Sequence, residues 1–211
     1  MDHKQKQSII VATALLAWGS AIAAGLVSVH RYENTPGRFD IAHQRWPAES
    51  ALHFSSERFN VVMLAHPRCP CTRASLDELA QLLSHCEVPM TAHILFWTPS
   101  DAGHEWQQTE LWKMALAIPD VQAHVDENGD EARRFGATTS GHVIVFQGDG
   151  TRIFSGGLTK ARGKAGNGNT ASAINNLIKQ KTSLSTDLPV FGCPLFDSQT
   201  HCNEGVRSCL K

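Results

Sequence analysis

The sequence has no excess of basic charge: 19 lysines and arginines face 20 acidic residues. Without a polycationic surface, nucleic acid is excluded as an expected partner class. There is no internal repeat, and 211 residues suit one ordinary domain plus extras. A phosphate-binding loop is also missing. Gly157 to Lys164 has five residues between its glycines and Ala165 where serine or threonine is needed, which leaves a loop before the last helix. The late cysteines, Cys193-x8-Cys202-x6-Cys209, match no common zinc spacing. Trp97, Trp106 and Trp112 are read as packing residues, with Trp97 at a strand end bordering the site.

One absence is informative in itself. Residues 8–29 (SIIVATALLAWGSAIAAGLVSV) contain no charge, and a run of about 20 apolar residues is enough to cross a bilayer as a helix. A signal-peptide core is shorter, roughly 7–15 residues, although Ala21-Ile22-Ala23-Ala24 imitates a cleavage site. The expectation is an uncleaved single-pass anchor in a cytoplasmic (inner) membrane. Lys4 and Lys6 precede the span, while Arg31 and Arg38 beyond it are mixed with Glu33 and Asp40. Residues 1–7 therefore stay cytoplasmic, and the rest faces the periplasm or exterior. All six cysteines lie beyond the span, where disulfides are tolerated. Residues 30–56, with Pro36, Gly37 and Pro47, read as a tether. A compact domain follows over 57–183, then a cysteine-containing tail over 184–211.

Within that domain, Asn60–Ala65 reads as a buried strand and Thr72–Leu83 has apolar residues at helical spacing. Met90–Trp97 is a second strand, closed by Pro99. A helix around Thr109–Ile118 ends at Pro119. Val121–Val125 is a short strand, and Glu131–Phe135 a short helix stopped by Gly136. His142–Gln147 and Thr151–Phe154 flank Gly148-Asp149-Gly150, a hairpin signal. A last helix falls near Thr170–Lys181. The order β-α-β-α-β-α-β-β-α predicts a mixed central sheet with helices on both faces, an α/β three-layer sandwich.

Cys69-Pro70-Cys71 stands between the first strand and the first helix of this domain. A cysteine at a helix N-terminus lies in the positive end of the helix field, near unpaired N–H groups, which favours the thiolate. Arg68, and His66 when protonated, push the same way. Thiol–disulfide exchange needs an attacking thiolate, a resolving thiol and access for the partner's sulfur. Cys69, nearer the loop and expected to be exposed, is the candidate nucleophile and Cys71 the resolver, with the roles reversible. An intramolecular Cys69–Cys71 disulfide closes a tight ring, and strain makes such a bond labile.

This element order, with the cysteines after the first long strand, resembles a thioredoxin fold. Asp126–Gly136 resembles the short-helix segment of thioredoxin-like proteins of the TlpA and peroxiredoxin type. A narrower set of strings resembles membrane-anchored, RedB-like thioredoxin-like proteins. These are His66–Leu76, Thr139-Ser140-Gly141-His142, Phe154–Thr159, Ala161-Arg162-Gly163 and Val190–Phe196. The resemblance covers roughly residues 57 to 197 and implies thiol–disulfide oxidoreductase activity toward a protein thiol or disulfide, with no cofactor. It also implies a loop at Ser140, Gly141 and His142 facing the cysteines. Two departures stand out: Cys-x-Cys replaces the family's Cys-x-x-Cys, and Gly141 stands where the family has a cis-proline.

The same atoms suit another class. Cys69, Cys71, His66 and His142 make a soft, sulfur-rich donor set for copper(I) or zinc, in outline similar to thioredoxin-like copper carriers of the Sco type. Most of the eleven histidines nevertheless have to be surface or core residues. A thiol peroxidase reading places the peroxidatic cysteine in Pro67-Arg68-Cys69, but the usual preceding threonine is absent and His66 stands there. A redox-inactive interaction domain is the remaining alternative. Cys86, Cys193, Cys202 and Cys209 are expected to form two structural bridges, with three possible pairings.

Overall fold

The structure, a computed structural model, describes residues 2–38, 42–166, 169–180 and 186–196. It divides into two compact units, Met1–Thr35 and Pro36–Lys211. The first is one helix, α1 (His3–Asn34), with no buried residue. At 1.5 Å per residue it is about 48 Å long, long and apolar enough for a membrane span or a signal sequence.

The second unit is built on a six-stranded mixed sheet. Its elements in chain order are β1 (Phe59–Ala65), α2 (Pro70–His85), β2 (Met90–Thr98), a 3-10 turn (His104–Gln107), α3 (Glu110–Leu116), β3 (Val121–Glu127), α4 (Asp130–Arg134), β4 (His142–Phe146), β5 (Arg152–Gly157), α5 (Asn169–Gln180) and β6 (Thr186–Asp187). The strands lie side by side in the order β3-β2-β1-β4-β5-β6. β1, β2 and β3 are parallel, and β4 runs antiparallel to both β1 and β5. β1 is thus central, which explains its unbroken apolar run: a strand covered on both faces needs no polar alternation.

The expected elements form, with two differences. α2 begins at Pro70, because proline's fixed φ and missing N–H suit the first helical position. β6 adds a strand parallel to β5 inside what reads as a structureless tail. There Asp187 pairs with the guanidinium of Arg152, a residue only 1 % exposed, so the short strand answers a buried charge.

The two faces of the sheet are covered differently. On one, α2 and α5 pack Leu76, Leu79, Leu82, Ile174 and Ile178 onto Val61, Met63 and Ile94. On the other, Val62, Leu64, Leu95 and Ile144 meet α4 and a non-helical segment. That segment lies in what the sequence presents as a tether. Ala42 and Leu52 are buried, and Trp46 packs edge-on against Phe135 and Phe146. The compact unit accordingly starts at Pro36, since scattered apolar residues cover a sheet without any period to reveal them.

Candidate functional site

β1 delivers the chain to the cysteines at its C-terminal end. Cys69 is the N-cap of α2, and Cys71 lies in its first turn. The surprise is the third sulfur. Cys193 comes from the C-terminal strap and stands 3.1 Å from Cys69, Sγ to Sγ. The Sγ atoms of Cys69, Cys71 and Cys193 all lie within 4.8 Å of one another, and all three are free thiols.

The strap is bonded in place by backbone. Ser140 N–H donates to the Cys193 carbonyl at 2.8 Å and Leu195 N–H to the Thr138 carbonyl at 2.8 Å, with Thr139 and Pro194 bridging antiparallel between them. Gly37 N–H donates to the Val190 carbonyl at 2.7 Å. Gly192 makes this approach possible, since a Cβ there would fall 1.8 Å from the Ser140 carbonyl oxygen. Arg162 donates to the Gly192 carbonyl.

The strap changes the expectation of an exposed nucleophile. Cys69 is 3 % exposed and Cys71 8 %, because residues around Cys193 close over the helix terminus. Burial pushes the Cys69 thiol up. It is nonetheless held below its ordinary value by hydrogen bonds from the Cys193 thiol and from backbone N–H groups of Cys71, Cys193 and Thr72. Burial and the negative charge of Cys69 push Cys71 up, against a smaller downward pull from Arg162. Burial, and the hydrogen bond Cys193 gives to Cys69, push Cys193 up to about 12. Of the three, Cys69 is the one whose ionisation the site eases, and Cys71 and Cys193 are the two whose ionisation it opposes.

The other expected site residues are placed as follows. Arg68 lies with its guanidinium 4.3 Å from the centre of the Trp106 ring and is not among the groups that shift Cys69; the cation acting on the thiols is Arg162. His66 stacks on Trp97 at 5.4 Å. Burial and then Arg68 lower its pKa, so it is neutral near pH 7 and does not act as the cation the sequence suggests. Ser140 Oγ accepts from His66 N–H and hydrogen-bonds Thr72 Oγ1, both at 2.9 Å, tying the loop to the start of α2. Gly141 has φ +86 and donates to the Leu64 carbonyl at 2.7 Å. That φ is closed to proline, so the family's proline has no place here. His142 points its Nε2 to Ser155 Oγ at 2.8 Å and is not in the sulfur group. The donor set of two cysteines with His66 and His142 is therefore replaced by three cysteines, because β4 turns His142 toward β5.

Cys193 and Arg162 are the residues that reading the chain for chemistry missed. Both lie in strings that carry the RedB-like resemblance, which was the available signal. The bridge expectation fails for Cys86 and Cys193, both free thiols. Cys86 caps the far end of the 16-residue α2, about 24 Å from the terminus that Cys193 touches. Cys202 and Cys209 lie outside the described residues.

No protein-family model and no curated protein matches the sequence. Solved structures do. An uncharacterized conserved protein from Geobacillus kaustophilus is 16 % identical, with a TM-score of 0.55 over 79 % of this chain and 94 % of that one. A hypothetical protein from Sinorhizobium meliloti is also 16 % identical, with a TM-score of 0.52 over 77 % and 93 %. A secreted disulfide oxidoreductase from Mycobacterium tuberculosis is 12 % identical, with a TM-score of 0.41 over 60 % and 84 %.

The strand order β3-β2-β1-β4-β5, with β4 antiparallel to both its neighbours, is the thioredoxin-like arrangement that the element order predicts. Three cysteines brought together at the start of α2 fit a redox or metal-binding role.

Proposed function

We propose that this protein is a membrane-anchored thiol–disulfide oxidoreductase whose working pair is Cys69 and Cys193. The observation that carries this reading is the 3.1 Å approach of their sulfurs, with the Cys69 thiol held below its ordinary value. Cys69 thiolate attacks one sulfur of a partner disulfide and forms a mixed disulfide, and the partner's other sulfur leaves as thiolate. Consuming the Cys69 charge removes one cause that keeps Cys193 protonated. Cys193 then loses its proton and attacks Cys69 Sγ, releasing the partner's second thiol. Two electrons pass from the Cys69–Cys193 dithiol to the partner, and the reverse direction uses the same mixed disulfide. Cys71, the resolver expected from sequence, is the third thiol within reach. Access for a protein partner requires the strap to yield.

The narrower RedB-like placement gains support from the meeting of its strings, Arg162 and Cys193 among them, at one site. Anchoring through α1 with the domain in the periplasm belongs to the same reading. The test is a redox titration of the metal-free full chain with mapping of the disulfide formed. A reversible two-electron couple at Cys69–Cys193 is expected, and Cys69→Ser lowers exchange by about a thousandfold or more. A couple confined to Cys69–Cys71, or none, overturns the assignment.

A further inference from the structure

The reduced trio also has the makings of a metal site. Its three donors come from the cap and first turn of α2 and from the strap, positions fixed independently of each other by the helix and by the Ser140–Cys193 and Leu195–Thr138 backbone bonds. We propose that Cys69, Cys71 and Cys193 together bind one copper(I) ion in an all-sulfur, three-coordinate site.

Geometry supports three-coordination. A metal centred among three thiolates at about 2.3 Å each requires sulfurs about 4 Å apart. The three here lie within 4.8 Å of one another, and the 3.1 Å Cys69–Cys193 approach has to widen. Donor chemistry selects the ion, because soft thiolates favour copper(I). Zinc wants a fourth ligand. Among the described residues no histidine or carboxylate joins the group. Charge is handled locally: three thiolates and one copper(I) leave two negative charges beside the amide-rich start of α2 and the Arg162 guanidinium, which already favours ionised Cys71 and Cys193. His66 and His142 have no part in it. Cys69 and Cys193 serve both the metal and the disulfide, so the copper-loaded and oxidised forms are mutually exclusive.

This goes beyond the exchange reaction and can fail separately from it. The full chain in detergent, reduced and free of oxygen, is offered copper(I) as its acetonitrile complex and dialysed against a copper(I) chelator. One copper per chain should remain, with three sulfur neighbours at about 2.3 Å by X-ray absorption, whereas zinc(II) offered the same way should be lost. Cys193→Ser and, separately, Cys71→Ser should each weaken copper retention at least about tenfold. A Cys202→Ser, Cys209→Ser double variant should hold copper like the parent. Nitrogen neighbours, loss of copper by the parent chain, zinc retention equal to copper, or copper retention unaffected by Cys71→Ser would each overturn the site whatever the redox titration gives.

Discussion

Cys69 and His93 are both buried titratable side chains, 3 % and 0 % exposed, yet their pKa values fall for opposite reasons. Each pKa falls below its ordinary value. For a thiol a lower pKa favours charge; for an imidazole it favours neutrality. Desolvation alone favours the uncharged form of either. At His93 it wins: burial, then the nearby His124, lower the pKa to about 4. The hydrogen bonds agree. His93 Nε2 lies 3.0 Å from the His53 carbonyl, which can only accept, so Nε2 carries the proton and Nδ1 is left to accept from His124 Nε2 at 3.0 Å. At Cys69 desolvation loses, because the thiol sits at a helix start among backbone N–H donors and against Cys193. Burial sets a default, and the donors arranged around a group decide whether it is overturned.

The comparison breaks most severely at Gly192. Gly192→Ala would drive a Cβ into the Ser140 carbonyl and should cost about 3 kcal/mol, the upper end for overpacking against a backbone that cannot move aside. With the strap lifted, Cys69 loses the Cys193 donor. Its alkylation should become faster at high pH while the inflection of its pH profile moves up toward the ordinary thiol value. An unmoved inflection would mean that the strap does not tune Cys69.

The histidine side is sharpened by acid. The unfolded histidine titrates near 6.5 and the folded one near 4, so between those values only the unfolded chain takes the proton. Stability should therefore be flat above about pH 6.5 and fall by about 3 kcal/mol on the way to pH 4. Urea midpoints measured across that range should show the loss, and His93→Leu should flatten it. Glu131, which acts on His124 in the opposite sense, should limit the drop.

The smallest effect is expected at Arg68. Its guanidinium is held over Trp106, so Arg68→Gln should cost about 0.5–1 kcal/mol of stability and shift the Cys69 alkylation profile less than Cys193→Ser does. A shift as large as that of Cys193→Ser would restore the arginine to the role its sequence position suggests.

Much of the scaffold is legible along the chain because its signals are local. The run at residues 60–65, the 3.6-residue spacing through Leu76, Leu79 and Leu82, and the glycine-bounded hairpin each report a neighbourhood of a few residues. The covering of the second sheet face is not legible. Trp46, Leu52 and Ala42 have no period, and β6 owes its existence to Arg152, distant in sequence. The same holds at the site: Cys69 and Cys71 announce themselves by spacing, while Cys193 lies 124 residues from Cys69.

The sequence by itself determined an apolar N-terminal helix, the order of strands and helices, and a cysteine at the start of α2, because these depend on hydrophobic periodicity and on backbone geometry that neighbouring residues impose. Only the tertiary structure decided that the third thiol is Cys193, that Arg162 rather than Arg68 faces the sulfurs, and that His142 turns away. Those outcomes depend on which segments a strap glycine allows to touch, and contact between distant segments leaves no local trace in a chain.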